Sequence, residues 1–98
     1  MGHQNVAKAF LYDCPARPKL VLATMALHSL DPGPGITDPL HYFGGWPLLA
    51  ITLGYPEYGP AGKLAVARAI AQLVDKGAVQ TVDRTTRGTR VYYLKGLT

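Results

Sequence analysis

Cysteine is almost absent. The one thiol, Cys14, cannot close a disulfide within the chain, so the sequence suits a reducing cytoplasm and needs no oxidising compartment. Long apolar runs are also missing. Residues 18 to 30 are the nearest approach, but that stretch is too short to span a bilayer and is ended by Asp31-Pro32-Gly33-Pro34-Gly35. No secretory signal pattern is present, and no membrane association is expected. Catalytic constellations are lacking too. Cys14, His3, His28 and His41 stand apart, with no neighbouring group at the spacing a nucleophile and its base require, and an enzyme is not expected. His28 has no His, Cys or carboxylate one helical turn away, so it reads as a packed or surface histidine. Without paired cysteines or closely spaced histidines, no zinc site or other cofactor is implied. Gly33-Pro34-Gly35 and Gly44-Gly45 lack the spacing and the following lysine of a phosphate-cradling loop, and read as turns. No small-molecule ligand is implied.

What is present is enough for one domain. The chain has 98 residues, of which 48% are hydrophobic, and that supports a small core without disulfide or metal. Its charge is unevenly placed. In residues 1 to 49, Lys8, Arg17 and Lys19 balance Asp13, Asp31 and Asp38. In the second half, Lys63, Arg68, Lys76, Arg84, Arg87, Arg90 and Lys95 outnumber Glu57, Asp75 and Asp83, which supplies the whole net charge of +4. An excess concentrated in one half suits a polyanionic partner such as nucleic acid.

The basic half is organised around a helix over about 61 to 76. Val66, Ala69, Ile70, Leu73 and Val74 recur at helical spacing and form the packing face, while Leu64, Arg68, Ala71 and Asp75 fall on the other side. Gly77 follows the last periodic residue, where a left-handed residue closes a helix cheaply. Ala78–Val82 and Thr89–Leu94 then read as two strands, joined by the turn-forming stretch Asp83-Arg84-Thr85-Thr86-Arg87-Gly88. The resulting hairpin, over about 78 to 95, carries Arg84, Arg87 and Arg90.

Upstream, Asn5 is read as the cap of a short helix over about 5 to 12, with Val6 and Phe10 one turn apart. Pro18 opens a second helix to about Leu30, where Leu20, Val21, Leu22, Met25, Ala26, Leu27 and Leu30 surround the axis so fully that burial is expected. Residues 31 to 42 form a Pro- and Gly-rich loop ending in a short extended piece. A short helix starts near Pro47, with Leu48, Leu49, Ile51 and Leu53 as anchors, and ends before Gly54. Gly54-Tyr55-Pro56-Glu57-Tyr58-Gly59-Pro60 is an irregular turn into the basic helix.

This order is similar to the winged helix-turn-helix family, of MarR type or phage-replication type. The resemblance is carried by Leu49-Ala50-Ile51-Thr52-Leu53-Gly54, by Ala65 to Val79, and by Arg87-Gly88-Thr89-Arg90-Val91-Tyr92-Tyr93-Leu94. The turn from Gly54 to Ala61 is longer than the family's usual turn, so the resemblance does not fix the angle between its two helices. The implied fold is mainly α with a β-hairpin wing, in a single domain over 1–98. The resemblance implies sequence-specific double-stranded DNA binding by a small regulator, in transcriptional control or as a phage or plasmid replication or excision accessory. A homodimer is the assembly it allows. The helix would enter the major groove through Lys63, Leu64, Ala67, Arg68 and Gln72. The wing would follow the backbone or minor groove through Arg84, Arg87, Gly88 and Arg90. The alternative is a protein-interaction module on the same scaffold, using Leu64, Ala67 and Ala71 or the tyrosine-containing turn to bind a partner protein.

Overall fold

The structure is a computed structural model that describes residues 3–29, 31, 33–35, 39–56, 59–82 and 91–98, with His3 described by its backbone alone. Four helices and a small sheet follow one another as α1 (His3–Leu11), α2 (Ala16–Leu27), β1 (His41–Tyr42), α3 (Trp46–Thr52), α4 (Pro60–Asp75), β2 (Gln80–Val82) and β3 (Val91–Tyr93). A single 3₁₀ turn, Lys95–Leu97, ends the order. The chain is thus mainly helical, with a three-stranded antiparallel sheet ordered β1-β3-β2. His41 pairs with Tyr93 and Tyr42 with Tyr92, while Gln80, Thr81 and Val82 pair with Tyr93, Tyr92 and Val91.

The core forms where α2, α3 and α4 meet. Val21, Leu22, Met25 and Ala26 of α2 pack with Leu49 and Ala50 of α3 and with Val66, Ala69, Ile70 and Leu73 of α4, and Tyr42, Leu94 and Leu97 close it from the sheet side. The expected packing face of α4 therefore holds for Val66, Ala69, Ile70 and Leu73. It fails for Val74, which is 42% exposed. At 100° per residue Val74 lies at the edge of that face, beyond Ile70. The all-round burial expected of α2 also fails, since Leu20 and Leu27 are 45% and 39% exposed. They share a stripe with Thr24, whose hydroxyl lies 3.1 Å from that of Thr52 on α3, so this side is only partly covered. Helix α2 also begins earlier than Pro18, with Pro15 at its N-cap, and ends at Leu27. Pro18 still falls in the first turn, where its missing N–H costs no helical bond.

Helix α1 runs from His3 rather than from Asn5, and Asn5 is not its cap. Asn5 lies fully buried inside the helix, donating from Nδ2 to Ser29 Oγ at 2.8 Å, and Ser29 Oγ donates in turn to Ala26 O. The first-turn amides of α1 are instead received by a distant carboxylate. Asp31 Oδ1 accepts from the Asn5 N–H at 3.0 Å, and Asp31 Oδ2 accepts from the Gln4 N–H at 3.3 Å. Val6 and Phe10 lie one turn apart on α1 as expected, but with Asn5 and Ala9 turned inward Phe10 is left 57% exposed. Beyond the helix, Tyr12 donates its hydroxyl to Lys76 O at 3.0 Å and so satisfies a carbonyl at the end of α4. The N-terminal helix covers the chain's own core.

Two helices end in the same way. Gly77 is at φ +78°, with Gly77 N–H donating to Val74 O and Ala78 N–H to Leu73 O, and Gly54 is at φ +88°, with Gly54 N–H donating to Ile51 O and Tyr55 N–H to Ala50 O. Each is a Schellman closure, in which a glycine takes the left-handed residue and two orphan carbonyls are satisfied. β2 is shorter than the expected 78–82, and β3 ends at Tyr93, one residue before the expected Leu94. Ala78 and Val79 are buried as the chain leaves α4, and ladder pairing starts only at Gln80. Residues 83–90, with the turn and the start of the second expected strand, lie outside the described residues.

Tyr42 joins the sheet to α3. Its hydroxyl donates to Gly45 O at 2.8 Å, and its ring lies so close over Gly44 that a Cβ there would fall within 2.6 Å of the hydroxyl oxygen. Burial, and secondarily the neighbouring Tyr92 hydroxyl, push the Tyr42 phenol well above its ordinary value of 10.0. The folded state therefore holds this proton more tightly than the unfolded chain does. The contribution is fully present below pH 10.0 and is lost as pH rises beyond it. Stability is expected to fall above that point with a slope of up to about 1.4 kcal/mol per pH unit from this group. Tyr42→Phe should cost about 1 kcal/mol at neutral pH and lose that part of the alkaline slope. Urea unfolding of both proteins across pH 8 to about 11 checks this; parallel alkaline slopes would remove Tyr42 as the cause.

A second expectation follows from the α4 core face. Ile70→Asp would set a carboxylate against Leu- and Val-lined surface, at a cost of several kcal/mol, comparable with the whole stability of a small domain. A thermal midpoint within a few degrees of the parent would contradict the packing described.

Candidate nucleic-acid interface

The candidate interface is the side of α4 turned away from the core. Its placement depends on how closely α3 and α4 approach. Gly62 is buried in the first turn of α4, and a Cβ there would stand 2.9 Å from Tyr55 Cβ, 3.1 Å from Ala50 Cβ and 3.4 Å from Pro56 O. Only glycine lets the long turn lie flat against α4. The Gly54 closure aims Tyr55 at this spot, so the expansion of the turn is absorbed by packing. Tyr55 is half-buried against the core, which makes it a pin for the turn. Tyr58 lies outside the described residues.

The five α4 residues expected at the interface are all exposed, but they do not share one face. Lys63 is drawn to the α3 side, its Nζ 5.8 Å from the centroid of the Trp46 ring, a cation–π contact. Leu64, Arg68 and Gln72 turn to the α2 side. There they line an open groove of about 310 Å³ together with Arg17 and Pro18 of α2, Tyr55 of the turn, and Ala61, Ala65 and Ala69. Ala67 is exposed between these flanks and lines no part of the groove. The crest of the helix is therefore small and apolar: Leu64, Ala67, Ala71 and Val74 follow one another at intervals of three and four residues. Cations sit on the two flanks.

Sequence reasoning overlooked Arg17. It belongs to the half of the chain that is neutral by count, and only the packing of α2 on α4 brings it to the groove that Arg68 also lines. Its place directly before Pro18 at a helix start was the one available signal. Arg84, Arg87, Gly88 and Arg90 lie outside the described residues, so the hairpin's share of the interface rests on sequence. The strand that leads to it, Gln80–Val82, is exposed throughout.

No group of three or more metal-ligating side chains occurs among the described residues, and no described helix is long and apolar enough to cross a membrane. Comparison with protein families, curated proteins and solved structures finds no match to this chain. The functional argument therefore rests on geometry and charge.

The approach at Gly62 is directly testable. Alanine is favoured over glycine within a helix by about 1 kcal/mol, whereas overpacking of a close contact costs about 1 to 3 kcal/mol. The nearest atoms are Cβ atoms tied to backbone, which cannot swing aside, so overpacking should win. Gly62→Ala is expected to be neutral to about 2 kcal/mol destabilising, and Gly62→Val clearly worse. A Gly62→Ala protein more stable than the parent in denaturant titration would mean that the helices do not approach this closely.

Proposed function

We propose that this chain is a small, non-catalytic, sequence-specific double-stranded DNA-binding protein with a winged helix-turn-helix arrangement, in which α4 is the recognition helix and the segment between β2 and β3 is the wing. The observation that carries the reading is the order helix, strand, helix, helix, strand, strand from α2 to β3, with the polar flank of α4 left open to solvent. Arg68 and Gln72 offer hydrogen bonds to base edges from that flank, and the small crest residues Ala67 and Ala71 let the helix axis come close to a groove floor. Leu64 suits a thymine methyl group. Arg84, Arg87 and Arg90, close together in sequence beside the exposed β2, supply charge for phosphates. A cytoplasmic regulator of transcription, or an accessory to replication or excision, fits this chemistry, with a homodimer as the form that would read a two-fold site.

A second reading has one observation in its favour. Exposure of Val74 extends the apolar crest Leu64-Ala67-Ala71 by another turn, and such a stripe of small and apolar residues also suits a partner helix. The flanking arginines weigh against it, because the core of a protein interface is depleted in unpaired charge.

Selection and sequencing of duplex fragments retained by the protein tests the proposal. On a selected site, Arg68→Ala is expected to lose about 1 to 3 kcal/mol while binding to a scrambled duplex is largely kept. Arg87→Ala should weaken both duplexes alike and reduce the slope of log affinity against log salt by about one unit. Equal losses on both duplexes for Arg68→Ala would remove the recognition role of α4. Binding that is unchanged in both variants would move the assignment to the protein-interaction reading.

A further inference from the structure

The groove between the first turn of α2 and the flank of α4 has no role in the resemblance set out from sequence, and its lining is unusual for a surface groove. Among the described residues its polar side chains are Arg17 on one wall and Arg68 and Gln72 on the other, with Tyr55, and none of those lining residues is a carboxylate. Pro18, Ala61, Leu64, Ala65 and Ala69 make the remainder apolar. Neither arginine has a hydrogen-bond or ion-pair partner among the described residues, and both are exposed. Two cations held by separate helices across an open groove repel each other weakly through solvent. An anion in the groove relieves that repulsion, and it can take charge-assisted hydrogen bonds from the Arg17 guanidinium.

Resting on the DNA-binding reading, we propose that this groove receives one sugar–phosphate strand of the duplex, with Arg17 of α2 as a backbone clamp opposite Arg68. A strand carries such an anion for Arg17, and its deoxyribose offers apolar surface to Leu64, Ala65 and Pro18. Duplex DNA is then gripped on the α2 side of the recognition helix independently of the wing. Arg17 is a positioning residue: it touches phosphate and sets the depth and register at which Arg68 and Gln72 meet base edges. Lys19, two residues on, is not part of the clamp, because its Nζ donates to Phe10 O at 2.9 Å and is spent on the end of α1.

The test compares the parent with Arg17→Ala, Arg17→Lys and Lys19→Ala on a short mixed-sequence duplex and on a selected site, by fluorescence anisotropy across a salt series. Arg17→Ala is expected to lower the salt slope by about one unit on both duplexes, the release of about one counterion. Arg17→Lys should restore most of that slope, and Lys19→Ala should leave it unchanged. Replacing single phosphates of the selected site by neutral methylphosphonates supplies an independent readout. One position should weaken the parent and leave Arg17→Ala unaffected, because the contact is already gone. If Arg17→Ala keeps the parent's slope while Arg68→Ala loses the selected site, the clamp is overturned and the DNA-binding reading stands. If the parent binds neither duplex, that reading fails and the clamp falls with it.

Discussion

The approach of the α3–α4 turn to Gly62 is the contact on which the usable surface of this protein depends. With less than 3 Å between a would-be Cβ at Gly62 and Tyr55 Cβ, the angle between α3 and α4 is set by atoms that cannot rotate away. Gly54 feeds into the same point, since its left-handed backbone turns the chain so that Tyr55 lands on α4. Once that angle is held, Ala50, Val66 and Leu22 can share one core, and the flank of α4 that carries Arg68 must face outward beside α2. A turn several residues longer than a tight connection would ordinarily leave two helices loosely related. Here packing substitutes for brevity.

The same economy appears at the helix ends. Asp31 receives first-turn amides of α1, Tyr12 caps the carbonyl end of α4 through Lys76, and Gly96 fits where a Cβ would meet Ala78 Cα and the Tyr12 ring at 2.8 Å. These contacts join the two ends of the described chain to the far end of α4. Leu40 belongs to the same set of long-range ties. It takes a left-handed backbone, φ 63°, which a branched side chain adopts only at a cost. In return its side chain is buried and its carbonyl accepts the Leu94 N–H at 2.8 Å. Local strain at the entry to β1 is thereby offset by closing the sheet onto the core.

Charge is arranged around α4 in a way that a count along the chain does not show. Lys63 leans onto Trp46 on one flank, whereas Arg68 and Gln72 share the other with Arg17. The crest between them is nearly featureless. Small residues there permit close approach to a partner surface, and the polar groups at either side decide what that surface can be. A ridge bordered by Lys63 on one side and by Arg68 and Arg17 on the other suits a grooved polyanion better than a flat apolar face, which supports the proposal of nucleic acid over a protein partner.

Periodicity, glycine and proline were sufficient to place α3, α4 and the sheet's approximate strands, because those signals act within a few residues: Gly54 and Gly77 close helices, and Val66, Ala69, Ile70 and Leu73 mark one face. The readings that failed depended on partners distant in sequence. Asn5 looked like a cap because capping is judged from the next three residues, yet its real neighbour is Ser29 and the capping group is Asp31. Leu20, Leu27 and Val74 were assigned to the interior on hydrophobicity, but which apolar positions are covered depends on what packs against each helix, and these three remain exposed. Arg17 joined the candidate site only when α2 crossed α4. Sequence alone determined that a helix with one packed and one exposed side would be followed by two strands, with arginines in the segment between them. Tertiary structure decided which of its side chains stand together and with what, because the sides of a helix become distinguishable only once neighbouring helices cover some of them.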